Sequence, residues 1–388
     1  MGIGPVITWV DDHLFIWLPW GSIANYNEAH RSTAHLITEQ GGRIKDSGHW
    51  WFKGAVLADE THEQFAEDCS HPIRDQHSKL LSIASATHTY DFVHIYGITD
   101  QLGIPWELSK DTPFSSAPTF IGFVWDLENK TVGLTSAKHT KYTDTVHEWL
   151  CTTAHNLEQV QKLYGHLSHT TFIIPEGSTY LTSLQLMLGI FGSNLFMPCR
   201  QPQGTISELH WWLWALSSKP PIPIPVHLHT TDHQAFSDAS SSCSLAIIIS
   251  PKWRAWRLGR HWKNNGRDIR WAESIAFEML ICALLTLDRS SSSLKVYCDN
   301  QGIIDGWKKG RSWNTPTNNT FRRIHALLAS PLRWVFPSYI PSADNPADGP
   351  SHSRYPPTAS LLPPVPILED LHRLILNYDN PECDTLCI

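Results

Sequence analysis

Four acidic side chains in the second half of this 388-residue chain stand where solvated charges are not expected. Asp238 closes Gln-Ala-Phe-Ser-Asp, just before a small-residue turn and an Ile-rich run. Asp299 closes Lys-Val-Tyr-Cys-Asp at the C-terminal end of a strand-like segment, where open α/β sheets usually place their ligands. Asp348 lies in Asp-Asn-Pro-Ala-Asp-Gly-Pro-Ser, at the start of a short turn or helix. Glu278 is the sole charge between Ile275 and Leu287, a run apolar nearly all round that reads as a buried helix. An ionised carboxylate there costs on the order of several kcal/mol, comparable with a domain's whole net stability, unless something compensates it. A divalent cation shared with the other acids would do so, since hard cations take oxygen ligands. The alternatives are a salt bridge to an arginine such as Arg270 or Arg322, or a protonated glutamate. Glu273 is the rival for this role. It lies near the helix start, where a negative charge is favourable without any function, so Glu278 is preferred.

A second acidic feature opens the chain. Two apolar strands flank Asp11-Asp12, which reads as a hairpin with carboxylates at its tip. Histidines at 166, 169, 227, 229 and 233 lack a fourth ligand or a cysteine pair, so a structural role is expected for them rather than zinc.

The elements that must position the later acids alternate. Ser244–Ile249, Trp253–Leu258, Leu294–Cys298 and Arg333–Ile340 read as strands, Ala272–Leu287 and Asn318–Leu328 as helices. Strands first, then alternation with helices, indicate an α/β (α+β) fold with helices on the faces of a mixed sheet. Lys219–Val226, with four prolines, reads as an extended linker. A second proline cluster from Tyr355 to Pro366 precedes an acidic tail with a short helix expected at Ile367–Leu376. The net charge of −7 is uneven: residues 1–225 carry 13 Lys/Arg against 22 Asp/Glu, residues 226–356 carry 16 against 10, and the rest 1 against 5. The basic segment therefore suits a polyanionic partner. Within it, Trp253–Trp262 and Trp307–Asn314 interleave cations with indoles, which suits phosphate pairing and packing on sugars or bases; filling of core space is the alternative. Eight scattered cysteines without a CxxC pair fit a reducing compartment, and the expected location is intracellular, cytoplasmic or nuclear. No apolar stretch approaches the roughly 18 residues of a membrane span, and no secretory signal is visible.

Phe-Ser-Asp238-Ala-Ser-Ser, Glu278-Met-Leu, Tyr-Cys-Asp299-Asn-Gln-Gly and Asn345-Pro-Ala-Asp348-Gly-Pro-Ser resemble, in order, the four acidic motifs of retroelement ribonuclease H domains. The gaps of 40, 21 and 49 residues suit a compact retroviral-type version. The resemblance implies a mixed five-stranded sheet and two-metal hydrolysis of RNA paired to DNA. Two Mg2+ ions, with Mn2+ as the alternative, would be held with Asp238 bridging, Glu278 and Asp299 on one ion and Asp348 on the other. It implies nucleic-acid contacts from Ser240, Ser241 and Asn300, which could read 2′-hydroxyls, and from Arg254, Arg257, Lys308, Lys309, Arg311 and Trp313. The family often carries a histidine in the loop before the last acid. Ile340–Asp348 has none, so modest turnover is expected.

The front of the chain resembles the later part of a reverse transcriptase of LTR- or tyrosine-recombinase-type retroelements. Trp9-Val-Asp11-Asp12 is similar to the aromatic-x-Asp-Asp motif, and Leu102–Lys110 to the segment whose lysine, here Lys110, contacts departing pyrophosphate. Phe120–Asp126 resembles the primer-gripping hairpin, and Val160–His169 through Pro175-Glu-Gly the thumb and connection. Polymerases of this class need a further aspartate well upstream of the doublet, which the numbering of this chain does not include, together with the fingers. The chain is accordingly expected not to polymerise alone, and template-dependent primer extension tests that. The implied organisation is a partial palm at 1–143, thumb and connection at 144–218, linker at 219–227, ribonuclease H-like domain at 228–354 and tail at 355–388. Alternative roles are a non-catalytic nucleic-acid-binding relic, or a structural subunit that dimerises with a complete polymerase chain. No membrane partner is expected.

Overall fold

The computed structural model describes residues 6–9, 12–39, 43–44, 50–56, 62–67, 90–191, 196–224, 230–241, 244–329 and 331–379, with side chains before Tyr90 described only in part. The chain forms two compact units, Met1–Asn129 and Lys130–Ile388. None of the described helices is long and apolar enough to cross a membrane.

In the first unit, β1 (Val6–Trp9) and β2 (Asp12–Phe15) pair antiparallel, with Trp9 opposite Asp12 across a two-residue connection. Helix α1 (Ile23–Glu39) and an antiparallel sheet of β3 (Arg43–Ile44), β4 (Trp50–Val56) and β5 (His62–Glu67) follow. Helix α2 (Phe92–Gln101) is capped by Asp91, whose side chain accepts from the His94 N–H. A second hairpin joins β6 (Thr119–Phe120) to β7 (Phe123–Asp126). Its two turn residues, Ile121 and Gly122, both have positive φ (46° and 83°), as the tight turn between twisted strands demands.

The second unit begins with β8 (Thr131–Leu134) and a helical layer: α3 (Ser136–Leu150), the two-residue strand β9 (Ala154–His155), α4 (Leu157–Thr170), α5 (Thr182–Leu188), β10 (Cys199–Arg200), which pairs with β9, and α6 (Thr205–Ser218). Asn156 and Gln159 form a reciprocal capping box that starts α4. Val146, Val160, Leu163, Leu184, Leu209 and Trp212 fill the space between the helices. Gly177 lies against the Trp212 ring so closely that a Cβ would come within 2.3 Å of it, so a larger residue is excluded there. The proline stretch then supplies β11 (Ile222–Pro223), which pairs with β8.

The remainder builds a six-stranded mixed sheet in the order β16-β15-β12-β13-β14-β17. Its members are β12 (Thr231–Ala239), β13 (Ser244–Ile249), β14 (Lys252–Leu258), β15 (Ser293–Cys298), β16 (Trp334–Tyr339) and β17 (Ile375–Asn377). The first three form an antiparallel meander, while β15 and β16 join parallel to β12. Connecting helices α7 (Ile269–Leu287), α8 (Gln301–Lys308) and α9 (Thr315–Leu328) bury their apolar residues against Leu245, Ile247, Trp256, Leu294 and Val296. On the opposite face Trp253 stacks on Tyr355 beside Leu361 and Tyr378. The expected α/β architecture is therefore present: the four strands read from the sequence, β12 as the fifth that the resemblance implied, and a sixth from the tail. The short helix expected at Ile367–Leu376 is instead a 3-10 turn at Glu369–Leu371 followed by β17. The free edge of β14 offers Ile375–Asn377 a hydrogen-bonded ladder, which outweighs a weak helical pattern.

Candidate active site

The centre of the sheet and the helix packed on it bring three carboxylates to one place. Asp238 is the penultimate residue of β12, paired with Ala246 of β13. Asp299 follows the last residue of β15, the parallel neighbour of β12. Glu273 projects from the second turn of α7, the helix packed on that part of the sheet. A ligating oxygen from each of the three lies within 4.8 Å of those of the others. Asp348 opens the short helix α10 (Asp348–Ser351) and meets Asp238 in a second group, again within 4.8 Å, together with His352.

Local bonds explain this convergence. The buried Asn345 donates to the Ser237 carbonyl at 3.1 Å and accepts from the Ala347 N–H, which ties the loop before Asp348 to β12. Ser351, fully buried, donates its hydroxyl to Asp238 Oδ2, and its carbonyl accepts from the Ser244 hydroxyl. Asn300, next to Asp299 in the chain, caps α8 by accepting from the Ile303 N–H and also donates to Glu273.

Burial and like charge dominate the electrostatics. Burial, then Asp299 and Asp348, push Asp238 up to about 6, although the Ser351 hydrogen bond works against the rise. Burial, with Asp238 and Asp299 close by, raises Glu273 well above the usual carboxylate range. Glu273 is 7% exposed, and its Oε2 has no hydrogen-bond partner. A buried carboxylate oxygen left without a donor, on a side chain that meets two other carboxylates, is costly unless a cation joins it or the carboxyl keeps its proton. The donor set is all oxygen apart from the His352 imidazole, which fits a hard divalent cation.

The structure corrects the choice of helical glutamate. Glu278 is 1% exposed, but five residues on from Glu273 it faces about 140° round the helix. Its carboxylate meets Arg323 of α9 in a two-pronged pair, Nε to Oε1 at 2.8 Å and Nη2 to Oε2 at 2.6 Å. Burial raises its pKa while Arg323 pulls it down. The compensation expected for Glu278 is thus an arginine, neither Arg270 nor Arg322, and Glu273 takes the place beside Asp238 and Asp299. No histidine stands in the loop before Asp348, as read from the sequence. One turn after it, however, His352 Nε2 lies 3.6 Å from Asp348 Oδ1 and Nδ1 lies 3.4 Å from the Ser240 hydroxyl.

The residues expected to touch nucleic acid divide. Ser241, Lys308, Lys309 and Trp313 are exposed, Trp313 by 64%, and Arg311, Asn300 and Arg257 are half-buried. Ser240 is buried beside His352. Arg254 is a correction: it is buried and donates to the Leu362 carbonyl at 2.7 Å, holding the tail instead of facing a ligand. Trp253, Trp256 and Trp262 are buried core residues, so the first indole-rich segment is packing. Lys110 is exposed at the end of a 3-10 turn, while Trp106 of the same segment lies against His13 and Phe15 of β2. Asp11 lies outside the described residues, and for Asp12 only the backbone is described. His166 stacks on Tyr142 and His233 pairs with Asp288, structural uses both.

No family model matches the chain, and no curated protein does. Among solved structures it is similar to RNase H1 from the halophilic archaeon Halobacterium salinarum NRC-1, at 13% identity over 29% of this chain and 88% of that one, with a TM-score of 0.23. It is also similar to the foamy viral protease-reverse transcriptase in complex with dsDNA, at 13% identity over 86% of this chain and with a TM-score of 0.31. The chain covers 62% of that protein's length. At these scores neither likeness bears on function, which rests on the side chains of the site.

Proposed function

We propose that this chain is of retroelement reverse-transcriptase type and that its residues 228–354, with the tail strand β17, hydrolyse the RNA strand of RNA–DNA hybrids. The observation that carries the reading is the meeting of Asp238, Glu273 and Asp299, with Asp348 beside Asp238, at a buried glutamate one of whose oxygens has no hydrogen-bond partner. Two divalent cations, Mg2+ or Mn2+, would supply a nucleophilic water, charge relief on the phosphate and support for the leaving oxygen. Asp238, Glu273 and Asp299 would hold one, and Asp238 with Asp348 the other, so that Asp238 serves both groups. Asn345 and Ser351 keep Asp348 and Asp238 in register. Exposed Lys308 and Lys309 at the C-terminal end of α8, with Arg311 and Trp313 in the connection to α9, would engage the sugar–phosphate backbone. Ser241 and Asn300, close to the acids in sequence, would face the minor groove, where 2′-hydroxyls distinguish a hybrid from duplex DNA. Residues 1–143 and 144–218 are proposed as palm-like and thumb–connection segments, and the β1–β2 hairpin with Lys110 as the polymerase-like counterpart of the nuclease site.

The test is incubation of the full chain with a labelled RNA–DNA hybrid, duplex DNA and single-stranded RNA. The reading predicts cutting of the RNA strand of the hybrid alone, with Mg2+ or Mn2+ and not with a chelator. Tight hybrid binding with no cutting under either ion would leave a binding relic instead.

A further inference from the structure

Asp348 differs from the other three acids in its company. Arg354 Nη2 lies 2.8 Å from its Oδ2, and the His352 imidazole faces its Oδ1. Among the described residues no lysine, arginine or histidine forms an ion pair with Glu273, Asp299 or Asp238. The site is therefore lopsided: one group of acids is uncompensated, and the other carries a resident cation.

The backbone delivers that cation deliberately. After α10 the chain turns through Ser353 in the left-handed region, φ 61°, a costly conformation for a serine. The Arg354 N–H then closes on the Gly349 carbonyl at 2.9 Å, which returns the side chain over the helix start where Asp348 sits. Yet the Arg354 side chain is 70% exposed and that of Asp348 33% exposed. An exposed ion pair contributes little to stability, so it is easily exchanged. Arginine keeps its charge at any working pH, and its planar fork fits a phosphate as well as a carboxylate.

We propose that Arg354 is an exchangeable counter-ion. It neutralises Asp348 while the acids hold no cation, and it moves to a phosphate oxygen of the bound strand once Asp348 turns to a cation. The second half of this role rests on the nuclease reading; the first half does not.

Two measurements on the full chain test it, comparing wild type with R354Q and R354K. At 70% exposure neither substitution threatens the fold. In calorimetric titration with Mg2+ and no nucleic acid, R354Q should bind the ion roughly fivefold more tightly than wild type, because its competitor is gone, and R354K should resemble wild type. Binding to a hybrid with a 2′-O-methylated RNA strand, in Mg2+, should be weaker for R354Q. Its logarithmic salt slope should be shallower by about one unit, the signature of one lost phosphate contact. Equal Mg2+ affinity in wild type and R354Q overturns the counter-ion role, whether or not the chain cuts hybrids. A gain in Mg2+ affinity with no cutting by any variant upholds that role and removes the hydrolytic reading. An unchanged salt slope in R354Q rejects the transfer to phosphate.

Discussion

Glu273 and Glu278 occupy one helix, five residues apart, and their surroundings give them opposite roles. Glu278 is neutralised by Arg323 inside the protein, whereas Glu273 meets only acids and polar donors. Removing one partner of a buried pair leaves the other uncompensated, so E278Q should destabilise the chain by about 3 kcal/mol, read as a lower urea midpoint. Asp238 sets a pH dependence. Its folded pKa of about 6 exceeds the ordinary 3.8, so between these values the folded state binds more protons than the unfolded. Stability of the metal-free protein should therefore fall as pH rises through that window. Thermal melts in chelator should show the fall, and added Mg2+ should flatten it. The sequence alone showed that a charge inside Ile275–Leu287 needs compensation, and it singled out Asp238, Asp299 and Asp348, which the fold does bring together. It did not show what compensates Glu278, because Arg323 lies 45 residues on and reaches it only through the packing of α9 on α7. The N-terminal position of Glu273, read as a helix-dipole preference, is what aims it at the sheet centre.

At the scale of elements, most of the sheet was legible because its strands are short runs rich in aliphatic and aromatic residues and its helices are apolar at helical spacing. β12 was harder. Its early half, Thr-Asp-His-Gln, is polar, exposed in part and irregular around Gln234 at φ 50°, so only its buried Phe-Ser-Asp end gave a signal. The tail was misread for a related reason: Ile375 is apolar enough for either helix or strand, and only a neighbouring edge decides. That edge makes the tail part of the core. Leu362, Val365, Leu371 and Ile375 are buried, and Gly259 approaches the Arg373 carbonyl so closely that a Cβ would lie 2.7 Å from it. Ile375→Ala should cost about 2–5 kcal/mol by denaturant titration; a cost below about 0.5 kcal/mol would mean the tail strand is dispensable.

At the scale of the molecule, the helical layer and the later sheet are fastened by α9. Arg322 donates to the Thr179 carbonyl at 2.6 Å and to Glu208 at 2.6 Å, and lies 4.2 Å over the Tyr180 ring; Asn318 also donates to Thr179. Glu208 is buried, so R322A should lower stability by about 3 kcal/mol and split a single melting transition by calorimetry into two. The charge shift and the prolines near 219 pointed to a joint in the chain, yet sequence gives no sign of a fastening assembled from residues more than a hundred positions apart. For the same reason activity is best measured on the full chain.

The most direct test of the account sets E273Q against E278Q in Mg2+-dependent hybrid cleavage, scaled to the folded fraction of each. The account predicts that E273Q falls to background while E278Q cuts close to the wild-type rate. Loss of cleavage in E278Q with E273Q unimpaired would contradict it.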